Sequence, residues 1–127
     1  MHKSRLAGFI IDCQTPDLEA AAAFWSAALG WAVKPVTDPA SASYRKLDTP
    51  ADEVDVEVQK VDHPSRVHID IETDDSEAEV RRLERLGAKR VGQVRTWWVM
   101  EAPTGQRFCV VQVVRGGFAE HAHTWGD

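Results

Sequence analysis

Residues 67–91 read VHIDIETDDSEAEVRRLERLGAKRV. Its first six residues alternate, with Val67, Ile69 and Ile71 set against His68, Asp70 and Glu72. A period of two separates the faces of a strand. From Ser76 the spacing changes. Val80, Leu83 and Leu86 recur on one helical face, while Arg81, Arg82, Glu84 and Arg85 fall on the solvated side. Ser76 and Glu79 fit a capping box, and Gly87 supplies the stop. The stretch predicts a strand feeding a helix over 76–86.

The same order occurs earlier, in IIDCQTPDLEAAAAFWSAALGWAV (10–33). Phe9–Gln14 alternates, with Phe9, Ile11 and Cys13 opposing Ile10, Asp12 and Gln14. A helix is predicted over Asp17–Leu29, with Thr15 as N-cap and Pro16 at the first helical position. Leu18, Ala22, Trp25 and Leu29 make its buried stripe, and Gly30 ends it. Gly30 and Gly87 stand 57 residues apart, and the same offset places Asp17 over Asp74. The chain therefore reads as a duplication of a strand–helix–strands module.

Short β-like runs follow each helix: 31–36, 44–47 and 54–61 after the first, and 90–94, 96–101 and 106–114 after the second. Ala102-Pro103-Thr104-Gly105 has the residues of a turn, which makes 96–114 a hairpin. Residues 37–43 and His63-Pro64-Ser65 are connectors. Module one is expected over about 6–62 and module two over about 66–115 within one α+β domain. The tail 116–127 shows no period, although it carries Phe118, Trp125, His121 and His123. The two tail histidines read as surface residues.

A chain of 127 residues suits one domain, and 43% hydrophobic with 28% charged residues is ordinary globular composition. The formal charge of −5 argues against nucleic acid and against anionic membrane surfaces. No stretch has the length of a membrane span, and Leu6–Ile11 is too short for a signal peptide. Cys13 and Cys109 match no zinc or redox spacing, so reduced thiols in a cytoplasmic protein are expected.

Helices need an apolar sheet face, which takes the valines and isoleucines. The opposite face then carries Asp12, Gln14, Glu57, Gln59, His68 and Asp70. Such a face is either solvated or lines a cleft. Trp97 and Trp98 point to opposite sides of one strand, so one of them can join that face, and Trp98 is the candidate carried forward. Arg107 shares a strand face with Cys109 and offers a cation for an anionic ligand group.

Three stretches, 10–33, 67–91 and WWVMEAPTGQRFCVVQV (97–113), give the chain its resemblance to the vicinal oxygen chelate superfamily, the glyoxalase/bleomycin resistance/dioxygenase fold. More narrowly, it resembles bacterial glyoxalase-like domain proteins. The resemblance implies two βαβββ modules forming a U-shaped mixed sheet around a cleft, with helices on the outer face, and pairing as homodimers.

In metal-using members, four His, Glu or Gln ligands come from the first and last strands of each module. Carried over, one position falls on His68. A second falls near Ile10, which cannot ligate, with Asp12 as a shifted alternative. A third falls near Glu57, with Gln59 as the alternative, and the fourth on Cys109, where Glu is usual. Ring-cleaving dioxygenases use two histidines and a carboxylate, and only His68 sits at such a position. The expectation is accordingly no resident metal. One divalent ion (nickel, zinc, manganese or iron) held by His68, Glu57 and Asp12 is the alternative.

Two functional readings follow. In the first, the chain binds an aromatic or antibiotic-like small molecule through Asp12, Gln14, Gln59, Asp70, Trp98, Arg107 and Cys109. In the second it is a lyase, isomerase or dioxygenase, with His68 and Glu57 in the catalytic role. A non-catalytic partner-binding domain is a third reading, hinted at only by Phe118 and Trp125.

Overall fold

The computed structural model describes residues 1–38 and 42–126. Strands β1 (His2–Gln14), β2 (Tyr44–Lys46), β3 (Asp55–Val61), β4 (Arg66–Thr73), β5 (Lys89–Val94), β6 (Trp97–Glu101), β7 (Arg107–Gln112) and β8 (His123–Trp125) alternate with helices α1 (Leu18–Leu29), α2 (Ser76–Arg85) and α3 (Phe118–His121). Parallel and antiparallel pairs are mixed, as an α+β fold requires. No helix among the described residues is long and apolar enough to cross a membrane. The chain forms two compact units: Gly8–Val67, and Met1–Ala7 with the chain from His68 onward.

In the unit Gly8–Val67, β1 pairs in parallel with β3 from Gly8↔Asp55 to Gln14↔Val61. Strand β2 lies antiparallel on the other edge of β3. Gly8 is required here, because a Cβ would run into the Asp55 carbonyl. Helix α1 packs on β3, and Leu18, Ala22, Val56 and Val58 are buried. The run 31–36 does not form the expected strand. It makes one bridge, Val33↔Leu47, flanked by Lys34 N–H to Lys46 O and Asp48 N–H to Ala32 O. Pro35 has no N–H to continue a ladder. Of the connector 37–43, residues 39–41 lie outside the described residues.

In the second unit, β4 runs parallel to β7 from Ile69↔Phe108 to Thr73↔Gln112. Strands β6 and β5 continue antiparallel from β7. The turn forms as expected, with Gly105 N–H donating to Ala102 O at 2.9 Å. Helix α2 covers one sheet face, burying Val80 and Leu83 against Met100, Phe108 and Val110. Each such side chain removed from water contributes about 1.5–3 kcal/mol. Ile71 joins this core, but Val67 and Ile69 are exposed, since α2 lies over β5, β6 and β7.

Both helix starts differ from the sequence expectation in the same way. The N-cap of α1 is Asp17, whose carboxylate accepts from Ala20 N–H at 3.1 Å, and Thr15 Oγ1 accepts from Asp17 N–H at 3.1 Å. The N-cap of α2 is Asp75, accepting from Ala78 N–H at 3.1 Å, with Thr73 Oγ1 accepting from Asp75 N–H at 3.1 Å. The Ser76–Glu79 capping box does not form, because Glu79 is turned inward to other partners. The repeated element is thus Thr-x-Asp, at 15–17 and 73–75, and Asp75 rather than Asp74 is the counterpart of Asp17.

The N-terminal segment and the tail also become ordered structure. Strand β1 begins at His2 rather than Phe9, and β8 pairs antiparallel with it, His2↔Trp125 to Ser4↔His123. Trp125 Nε1 donates to Ser4 Oγ at 2.8 Å, and its ring lies 3.9 Å from the Arg82 guanidinium. Phe118 lies under Arg5. Asp127, the last residue of the tail, is outside the described residues.

Candidate functional site

Helix α2 packs on one face of the sheet, over β5, β6 and β7, and the chemistry-bearing side chains of β4, β7 and β6 stand on the other. Register partners share a face, so the pairs Asp70↔Cys109, Val99↔Cys109 and Glu101↔Arg107 define it. His68 precedes Asp70 by two residues and joins it. The His68, Asp70 and Cys109 donor atoms all lie within 4.8 Å of one another. His68 Nε2 stands 3.7 Å from Asp70 Oδ1, with both side chains largely shielded, at 12% and 19% exposure. Such shielding strengthens electrostatic interactions relative to water.

Arg107 lies on the same face, its Nε 3.4 Å from Glu101 Oε1. Both are more than a third exposed, so this ion pair contributes little to stability and its guanidinium can exchange partners. The tryptophan on this face is Trp97, which alternates with Val99. Trp98, the candidate taken from the sequence, belongs to the opposite face, where it packs on the α2 core under the Arg90 guanidinium. Counting outward from Cys109 through its partner Val99 separates the two tryptophans. The hairpin residues alone left that choice open.

The other expected residues lie in the unit Gly8–Val67. Asp12, Glu57 and Gln59 share one face there, through Ile10↔Glu57 and Asp12↔Gln59. Asp12 is buried, with Arg66 Nε 3.7 Å from its Oδ2, and Glu57 faces Lys46 at 3.4 Å. Cations therefore already balance these carboxylates. Gln14 holds the connector, its Nε2 donating to Asp62 O and its N–H to Ser65 Oγ, each at 2.9 Å. Burial pushes the Cys13 thiol up; a contact with Trp25 pulls it down, and the Asp12 charge adds to the rise. A thiol held protonated is a poor nucleophile.

As a metal-ligand set, His68, Asp70 and Cys109 offer nitrogen, oxygen and sulfur. Two N/O donors about 2.1 Å from one tetrahedral ion stand roughly 3.4 Å apart. The His68–Asp70 separation of 3.7 Å is close to that. Three protein donors leave positions for an exogenous ligand. The residues fit a divalent ion, which would supply Lewis acidity to a bound oxygen. The three that fit differ from the expected trio, since Asp70 and Cys109 accompany His68 in place of Glu57 and Asp12.

The duplicated strand–helix–strands module, with its first strand parallel to its last, is the architecture of the glyoxalase/bleomycin resistance/dioxygenase (vicinal oxygen chelate) superfamily. Solved structures share it. Methylmalonyl-CoA epimerase from Mycobacterium tuberculosis aligns with TM-score 0.63 and 15% identity over 86% of this chain and 87% of its own. The Mn(II)-bound glyoxalase from Novosphingobium aromaticivorans aligns with TM-score 0.61 and 19% identity, over 91% of this chain and 42% of its own. A superfamily member from Vibrio splendidus aligns with TM-score 0.54 and 20% identity over 87% and 99%. The chain belongs to the glyoxalase-like domain family, whose model matches residues 8–111. No curated protein matches it significantly.

Proposed function

We propose that the chain is a small-molecule-binding protein whose ligand site is the polar face of β4–β7–β6. The carrying observation is the convergence of His68, Asp70 and Cys109 on the face that α2 leaves open. A face devoted to solvation has no need to shield three different chemical groups together. Arg107 gives it a cation for a carboxylate or phenolate, and Trp97 a surface for stacking. An aromatic acid bearing adjacent oxygens, with salicylate as the simplest probe, matches these features. Sequestration of an aromatic or antibiotic-like compound is the corresponding role.

A second reading is favoured by the donor geometry, namely a lyase, isomerase or dioxygenase of the superfamily. In that reading Arg107 orients the anionic end of the substrate. His68, beside Asp70, takes or returns a proton at its ring nitrogen. The epimerase and Mn(II)-bound glyoxalase among the structural neighbours support an enzymatic role through fold alone. Pairing of two copies and a cytoplasmic setting belong to the same proposal, and sedimentation velocity checks the first.

Calorimetric titration with salicylate tests the binding reading. His68→Ala is expected to weaken binding by about tenfold or more, with melting close to wild type, since His68 lies on the sheet face away from the α2 core. A melted His68→Ala variant would make this residue structural instead.

A further inference from the structure

We infer that His68, Asp70 and Cys109 form a thiolate-containing site for one zinc-class ion, contained within the second unit alone. The inference rests on the ligand face described above and specifies what its polar centre binds. It differs from the four-position arrangement that the family resemblance implies. Asp70 is not one of those four positions, the Ile10 position cannot ligate, and a thiol stands where a carboxylate is usual.

Geometry assembles the set without long-range help. His68 and Asp70 are two residues apart on one strand, so their side chains rise from the same face. Cys109 is the register partner of Asp70 on the adjacent strand. All three donor atoms already fall within 4.8 Å. Two zinc-bound donors, one of them sulfur at about 2.3 Å, stand roughly 3.6 Å apart. Closing the set thus needs small side-chain rotations on a fixed backbone.

The donor chemistry selects the ion. Manganese and magnesium prefer all-oxygen shells, whereas a soft thiolate with an imidazole and one carboxylate suits zinc or cobalt(II). On binding, the Cys109 S–H bond breaks, its proton leaves to solvent, and the sulfur electron pair forms the bond to the metal; no electron transfer is involved. Cys13 is outside the set, although neither cysteine is held in a disulfide among the described residues.

The test uses the full chain with zinc and cobalt(II) ions as probes. Zinc titrated against a chromophoric chelator is expected to bind one ion per chain. Cobalt(II) is expected to give a thiolate-to-metal charge-transfer band in the near ultraviolet. Cys109→Ser should abolish that band and weaken zinc by about tenfold or more; Asp70→Asn should weaken zinc by a similar factor while cobalt(II) at saturation keeps the band; and Cys13→Ser should leave both readouts unchanged. Zinc should also slow iodoacetamide labelling of Cys109 but not of Cys13, a readout on the wild-type protein that needs no variant to fold. Absence of zinc binding, a charge-transfer band that survives Cys109→Ser, or unchanged labelling of Cys109 would overturn the inference. Salicylate binding to the metal-free chain would stand through any of these results, so the two proposals fail separately.

Discussion

Asp70 and Cys109 are register partners on the parallel strands β4 and β7, which sets a carboxylate and a thiol side by side on the face away from α2. Parallel pairing of first and last strands is what the duplicated module produces, so this juxtaposition follows from topology. His68, two residues earlier on β4, then needs no special loop to join them.

The two adjacent tryptophans should separate cleanly by experiment. Trp98 packs on the α2 core, so Trp98→Ala is expected to destabilise the chain by about 3 kcal/mol. Trp97→Ala should cost well under that and instead weaken salicylate binding. Urea unfolding of both variants, paired with calorimetry, checks this. The reverse outcome would move the ligand to the helix side.

The Glu79 carboxyl gives the chain an acid-sensitive point. It is fully buried, accepting from Arg82 Nε and NH2 at 2.8 Å and lying 2.8 Å from His2 Nε2. Burial works to raise it, but hydrogen bonds from Arg82, His2 and Ser4 prevail and hold it below its ordinary value of 4.5. A lowered native value means the unfolded chain takes up protons first on acidification. The contribution is present above about pH 4.5 and is lost as pH falls through the native value. Urea midpoints should drop below that pH in wild type and drop less steeply in Glu79→Gln. That variant should already be destabilised by about 2–3 kcal/mol near neutrality.

Glu72 and Arg5 anchor the tail. Glu72 is fully buried and accepts from Arg5 Nε at 2.6 Å and from Val114 N–H at 2.7 Å. Arg5 in turn donates to the carbonyls of Arg115 and Gly116. Glu72→Gln is expected to cost about 3 kcal/mol, because it leaves the Arg5 charge unbalanced in a dry site. Hydrogen exchange should quicken at Val114 and Arg115 well before it does in β7. Equal protection in both proteins would mean the tail is held by Trp125 and Phe118 instead.

The parts of the fold that were legible in the sequence are those with strong periods. The alternation in 67–72 and the helical stripe at Val80 and Leu83 led directly to β4 and α2, and the repeat suggested the second copy. What stayed hidden is polar. The start of β1 buries His2 and Ser4, whose partners Glu79 and Trp125 lie some 77 and 121 residues away, so no local apolar pattern marks it. Strand β8 and helix α3 have three and four residues, too few to show a period. The helix caps shifted to Asp17 and Asp75 because a Thr two residues before each Asp fixes its backbone first. At the site, His68, Asp70 and Cys109 were each readable by strand parity. Their convergence needed the β4–β7 register, which single-strand patterns do not specify.

The measurement that bears most directly on the ligand face is an amide chemical-shift titration of the isotope-labelled chain with salicylate and related aromatic acids. The expected result is a set of shifts clustered on β4, β7 and β6 around His68, Cys109 and Trp97, and lost in a folded His68→Ala variant. Shifts confined to other elements, or none across the series, would contradict a ligand site on this face.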